Sequence, residues 1–317
     1  MSIAFTFPGQ GSQHVGMGAD LAEAYASARE VFQAVDDALG QGLSAIMWQG
    51  PVEELTLTEN AQPALMAVSL AVTRVLERDH GLELDKTIRF VAGHSLGEYS
   101  ALAAAGSLAL NDTARLLKTR GQAMQAAVPV GEGAMAALLG AELDDAKRLA
   151  RDASDGEVCE AANDNAPGQI VISGAVGAVG RAVEMAADYG ARRAVLLPVS
   201  APFHCSLMQP AAQVMAEALG AVEIKPPVVP LIANVTAGEV DEPEQIRERL
   251  VQQVTGMVRW RESVGYMVEN GVRSVYEIGA GRVLTGLARR IERDLDAKSV
   301  ASPDEIDAAI KALETNT

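Results

Sequence analysis

The chain has 317 residues, 49% of them hydrophobic, enough for a large core and, by length, roughly two domains. Its formal charge of -16 argues against nucleic acid, which is bound by Lys and Arg that neutralise phosphates. No run approaches the ~20 apolar residues of a membrane span, and MSIAFTFPGQ lacks the basic and long apolar parts of a signal peptide, so the expected compartment is the cytoplasm with no membrane partner. Cys159 and Cys205 are too few for a disulfide framework, and no Cys/His spacing resembles a metal site.

The chain opens on a β-like run, Ile3 to Phe7, broken by Pro8-Gly9-Gln10-Gly11-Ser12-Gln13 and followed by an amphipathic helix over 21–39. A glycine loop at the carboxyl end of a strand is where open α/β sheets place ligands, and the backbone N–H of Gln10 can serve as an oxyanion donor. It is neither a P-loop nor a Gly-x-Gly-x-x-Gly fingerprint. Two helices are expected within 51–80, the second from Pro63 to Arg78.

Residues 88–105, IRFVAGHSLGEYSALAAA, read as a strand, a sharp turn and a helix. Gly93 and Gly97 flank Ser95 as in a Gly-x-Ser-x-Gly nucleophile elbow, where absent side chains let strand and helix pass closely and let the serine adopt a strained backbone. Leu96, first after the serine, supplies an oxyanion N–H at the positive end of the helix. Asn111-Asp112-Thr113 predicts the N-cap of a helix reaching about Ala126. On that helix Leu116, Leu117, Arg120 and Met124 share one face, so Arg120 is either paired with a carboxylate, held open for an anionic ligand, or snorkelling to solvent.

Residues 131–197 change rhythm. GAMAALLG, EVCEAAN, QIVISG and RRAVLLPVS predict four short strands, with helices over 142–154 and 176–189, the βαββαβ order of a ferredoxin-like unit inserted into the larger one. The larger α/β portion then comprises 1–130 and 198–317. In it, Ile224 to Asn234 reads as an edge strand or extended segment, 243–256 and 262–270 as helices, SVYEIG as a late strand, 284–295 as the last long helix, and the tail after Lys298 as one further helix. Arg289, Arg290 and Arg293 form a basic group that reads either as a solvated helix face or as a dock for an acidic partner.

The base follows by elimination among four histidines. His94 adjoins Ser95 in an extended run and points to the opposite face. His80 lies at a charged helix end, as a dipole partner. His14 remains in reserve after the first loop. His204, in a downstream loop bounded by Pro and Ser, is the expected general base and acid. No acid is singled out to complete a triad, so a Ser–His dyad oriented by a carbonyl or amide is an equal alternative.

Together FPGQGSQ, GHSLGEYSAL, the KTRGQAM segment, NDNAPGQIVISG and SAPFH resemble the malonyl-CoA:acyl carrier protein transacylases and the acyltransferase domains of fatty acid and polyketide synthases. The resemblance covers nearly the whole chain. It implies an α/β-hydrolase-like large domain with an inserted ferredoxin-like small domain and the active site between them. It also implies ping-pong transfer of malonyl from malonyl-CoA, through a malonyl-serine, to the phosphopantetheine thiol of an acidic acyl carrier protein, with no cofactor of the enzyme's own. Ser95 is then the nucleophile, His204 the base, Arg120 the partner of the malonyl carboxylate, and Gln10 with Leu96 the oxyanion hole. Gln253 matches the family glutamine whose backbone carbonyl orients the histidine. Asn163 and Asn165 face the cleft from the small domain. Phe203 matches a position where bulk goes with malonyl over branched extenders. A serine thioesterase or esterase, a malonyl transferase serving malonate decarboxylase, and a docking subunit with a merely structural elbow are the alternatives.

Overall fold

The computed structural model describes residues 2–314. Among these residues ten strands form two sheets. β1 (Ile3–Phe7), β2 (Phe90–Gly93), β7 (Leu231–Ala233), β8 (Gly238–Val240), β9 (Ser274–Ile278) and β10 (Asp296–Val300) make a six-stranded sheet in the order β10-β9-β1-β2-β7-β8. All its pairs are parallel except β7–β8. Alternation along these strands divides the apolar side chains between two layers: Phe5, Phe7, Val91, Leu231 and Tyr276 face one core, while Ala4, Phe90, Ala92, Ile232 and Val275 face the other. With both faces covered by helices, the central strands are buried end to end, as parallel strands require.

β3 (Gly133–Leu139), β4 (Cys159–Ala166), β5 (Gln169–Ala175) and β6 (Arg193–Leu196) form a separate antiparallel sheet in the order β4-β5-β3-β6. Two helices, Leu143–Ala153 and Val176–Met185, follow its first and third strands and close a core of their own around Leu138, Leu149, Ile170 and Ile172. The chain is therefore α/β with a ferredoxin-like βαββαβ unit. β4 crosses to the larger unit: Asp164 N–H donates to Val258 O at 2.9 Å, Val258 N–H donates to Ala162 O at 2.9 Å, and Asp164 pairs with Arg261 at 2.8 Å.

Several elements differ from the sequence expectation. The first helical stretch is two helices, Ala19–Ala24 and Ala26–Leu39, parted by Tyr25 in extended backbone. The long apolar helix begins at Thr58, five residues before Pro63, which it holds internally. The Asn111 cluster lies inside the first turn of helix Leu110–Ala126, whose N-cap is Ala109; Thr113 Oγ1 donates back to Ala109 O at 2.8 Å instead of capping. β7 is no edge strand, since β8 covers its outer side. The last segment divides into helix Val283–Ile291, β10 and helix Pro303–Glu314; β10, with Asp296 and Lys298 in it, lacks the apolar run that would announce a strand.

Candidate active site

The order of the larger sheet turns about β1, with β2 and β7 on one side and β9 and β10 on the other. A crevice opens at the carboxyl end of a strand where connections diverge in this way. β1 and β2 end level, Phe7 beside Gly93, and their two loops enter that crevice together. The first is the Gln10 loop, tied internally by Gly11 N–H donating to Gln13 Oε1 at 2.7 Å. The second is the elbow.

Close packing makes the elbow glycines obligatory. A Cβ on Gly93 would lie 1.9 Å from the carbonyl carbon of Gly97, and one on Gly97 would lie 2.2 Å from Phe7 O. Between them Ser95 is held at φ 54, in the left-handed region that costs a non-glycine residue of order 1 to 3 kcal/mol. Asn234, just past β7, holds the strained turn. Its Nδ2 donates to Gly93 O at 2.7 Å and its Oδ1 accepts from Ser95 N–H at 2.8 Å. The helix Gly97–Ala104 then leads away with its amino end at the serine.

Ser95 Oγ lies 2.7 Å from His204 Nε2. On the other side of the ring, Nδ1 faces two carbonyl oxygens, Gln253 O at 2.9 Å and Gly256 O at 3.1 Å. Carbonyls only accept, so Nδ1 carries the proton, and the Nε2 lone pair is left to accept from the serine hydroxyl. Two backbone carbonyls thus orient the imidazole where a triad would use an acid. His204 itself is at φ 59, a second strained residue in the same site. Burial, and next the Arg120 charge, push its pKa down from 6.5 to about 3, so it is a neutral, proton-accepting base at any physiological pH.

Arg120 comes off helix Leu110–Ala126, fully buried. Its neighbour Gly121 permits this approach: a Cβ there would lie 2.5 Å from Glu59 Cα on the facing helix. Nη1 donates to Gln62 Oε1 at 2.9 Å, and Nη2 donates to Gln253 Oε1 at 2.8 Å and to Ser95 Oγ at 3.3 Å. Among the described residues no carboxylate is within ion-pairing reach of the guanidinium, and Nε has no hydrogen-bond partner. A buried cation held by neutral amides beside a nucleophile retains its charge for a ligand.

A cleft of about 530 Å³ joins these groups, lined by Gln10, Ser95, Leu96, Arg120, Asn163, Phe203 and His204 among others. That volume suits a small-molecule site. Gln253 is placed differently: it is fully buried and absent from the lining, and acts on the site through the groups it holds. His14 Nδ1 approaches Ser12 O at 3.3 Å and is away from the serine's partners. His80 packs edge-on against Tyr25. His94 turns from Ser95 toward the small unit, where its Nε2 meets Asn165 Oδ1 at 2.8 Å and its ring packs on Trp260. Of the basic group, Arg289 is spent on Ala297 O at 2.8 Å, while Arg290 reaches Gln169 Oε1 at 2.6 Å, at the mouth of the cleft.

Sequence reasoning missed Asn234, Gln62 and Glu98. The first two carry no motif and reach the site only through the fold. Glu98 was visible, three residues after Ser95, in the Ser-x-x-Glu spacing of a capping box. The structure departs from that pattern, since Asn234 takes the Ser95 N–H and Glu98 turns inward.

Comparison with known proteins agrees with this geometry. The family model described as "Acyl transferase domain" matches residues 4–305. The malonyl CoA-acyl carrier protein transacylase of Bacillus subtilis (strain 168) is 45% identical over 312 residues, covering 98% of this chain and 97% of its own. The crystal structure of acyl-carrier-protein-S-malonyltransferase from Bartonella henselae is similar at TM-score 0.97 and 58% identity, over 99% of this chain and 100% of that one. A malonyl-transacylase solved in complex with a type II PKS acyl-carrier protein is similar at TM-score 0.95 and 42% identity, over 98% of this chain and 100% of that one.

Proposed function

The chain belongs to the acyl transferase family, and on that premise we propose that it moves malonyl from malonyl-CoA to the phosphopantetheine thiol of an acyl carrier protein through an ester on Ser95. The observation that carries the mechanism is the Ser95–His204 contact beside an arginine that, among the described residues, forms no ion pair with a carboxylate.

His204 Nε2 takes the hydroxyl proton as Ser95 Oγ attacks the thioester carbonyl, while Nδ1–H stays on the carbonyls of Gln253 and Gly256. The resulting oxyanion is met by the backbone N–H groups of Leu96, at the helix start, and of Gln10, on the neighbouring loop. Among the described residues neither N–H has a protein acceptor. The C–S bond breaks, and coenzyme A leaves as a thiol with the proton returned by His204. The carrier thiol then attacks the malonyl ester by the same path, and Ser95 recovers its proton. Arg120 receives the malonyl carboxylate on its guanidinium, displacing the weak contact to Ser95 Oγ. Phe203, buried beside His204, crowds the carbon next to the thioester, and Asn163 lines the small-unit wall of the cleft. The protein supplies no cofactor, because phosphopantetheine arrives on the carrier. The cytoplasm is the proposed compartment, which the two buried free cysteines suit. Transfer serves fatty acid chain elongation.

The reading is tested by mixing the protein with malonyl-CoA and locating the adduct by intact and peptide mass spectrometry. A malonyl ester on the Ser95 peptide is expected. Absence of any adduct, with the protein folded, would make the elbow structural.

A further inference from the structure

Glu98 is a fully buried carboxylate that the mechanism above does not use. Its Oε2 accepts from Gln253 Nε2 at 2.5 Å and from the backbone N–H of Asn234 at 3.4 Å, and its Oε1 has no hydrogen-bond partner among the described residues. Among the described residues it makes no ion pair, although the Arg120 charge favours its ionised form against the cost of burial. A carboxylate is an expensive group to bury on those terms, and an apolar residue would fill the same space without the penalty. What Glu98 offers and an apolar residue could not is an acceptor for the Gln253 side-chain amide and the Asn234 N–H.

We infer that Glu98 is a positioning residue for malonyl selection, fixing the Gln253 side-chain amide so that its oxygen faces Arg120. The inference rests on the reading of Arg120 as the carboxylate-binding group. Gln253 Nε2 donates both to Glu98 Oε2 and to Ser95 O at 2.9 Å, so its Oε1 is left to accept from Arg120 Nη2 at 2.8 Å. Rotating the amide by half a turn would set its NH2 against the guanidinium and its oxygen against two acceptors. The same residue's backbone carbonyl orients His204. One glutamine therefore couples the base, the nucleophile and the selecting cation, and Glu98 anchors it from behind. Burial raises the Glu98 pKa to about 7, and protonation does not disturb the arrangement, because the proton has a free seat on Oε1 while Oε2 continues to accept.

The test measures kcat/KM for acylation of Ser95 by malonyl-CoA and by acetyl-CoA in wild type, Glu98→Gln, Glu98→Leu, Gln253→Ala and the Glu98→Leu/Gln253→Ala double variant. Wild-type ester formation from malonyl-CoA serves as the reference. Glu98→Leu should lower the malonyl-to-acetyl ratio about tenfold, Glu98→Gln should restore it to within about threefold, and the leucine change should cost little more once Gln253 is alanine. An unchanged ratio in Glu98→Leu, or equal losses with both donors that add to those of Gln253→Ala, would overturn the inference. So would a tenfold loss of the ratio in Glu98→Gln, which retains the acceptor and decides the matter even if the leucine variant does not fold. A wild-type protein that forms no malonyl ester would instead overturn the functional reading, and this inference with it.

Discussion

The two sheets contribute to the cleft in opposite ways. The larger unit, built on the mostly parallel sheet, supplies the reacting groups from its loops and helices and does so under constraint: Ser95 and His204 are held at positive φ, Gly93 and Gly97 are in contact with backbone, and a buried arginine is held by amides. The antiparallel sheet has its own core and offers Asn163, Asn165 and Val171 as a wall, with the β4–β5 register shifting between Ala161 and Asn163 and again between Asp164 and Ala166. The difference teaches that chemistry resides where strand ends converge on a topological turn, and that the inserted unit encloses that chemistry. Its hydrogen-bonded connection through β4 and Val258 reaches the same segment whose Gly256 carbonyl holds His204, so the wall and the base share a support.

Variants on the two sides should separate by magnitude. His204→Ala removes the proton acceptor and should slow malonylation of Ser95 by roughly 10⁴-fold, read as single-turnover ester formation, with the fold intact by circular dichroism. Arg120→Ala removes a charge-assisted contact worth about 2 to 3 kcal/mol, so the malonyl-to-acetyl ratio should fall by roughly 30- to 150-fold while acetylation persists; equal loss with both donors would contradict the assigned role. Asn163→Ala, on the small-unit wall, should alter KM for malonyl-CoA by no more than about threefold and leave the Ser95 ester rate at saturation unchanged. A wall variant as damaging as Arg120→Ala would erase the contrast between the sheets.

The pH dependence sharpens the same contrast. Because His204 is pushed down to about 3, acylation should show no acid limb near pH 6.5, where an ordinary histidine would lose its lone pair. The Arg120 charge is the second cause of that shift after burial, so Arg120→Ala should move the limb upward toward 6.5. Glu98 has the opposite linkage. Its folded pKa of about 7 lies above the unfolded carboxylate value of 4.5, so the native state binds the proton more tightly and stability falls as pH rises between the two. The stability of wild type relative to Glu98→Gln should decline between pH 5 and 8, by at most about 1.4 kcal/mol per pH unit, in denaturant titrations.

The elbow was legible because its glycines answer a local need, the contact of one strand end with the helix it feeds. Arg120 was legible because helical periodicity placed a charge on an apolar face. The four-strand rhythm of the small unit was equally plain. Asn234 was not legible, since it meets Ser95 across 139 positions only because β7 pairs beside β2. Gln253 needed the family resemblance to be noticed, and its side-chain role needed the structure. β10 escaped because pairing with β9, and no apolar pattern of its own, makes it a strand.

Transfer and hydrolysis part at the fate of the malonyl-Ser95 ester. The most direct measurement isolates the malonyl-Ser95 enzyme, adds phosphopantetheinylated acyl carrier protein, and follows the malonyl group by mass against a buffer control. Malonyl should appear near-stoichiometrically on the carrier thiol, well ahead of free malonate. Release of malonate at the same rate with and without the carrier would contradict it.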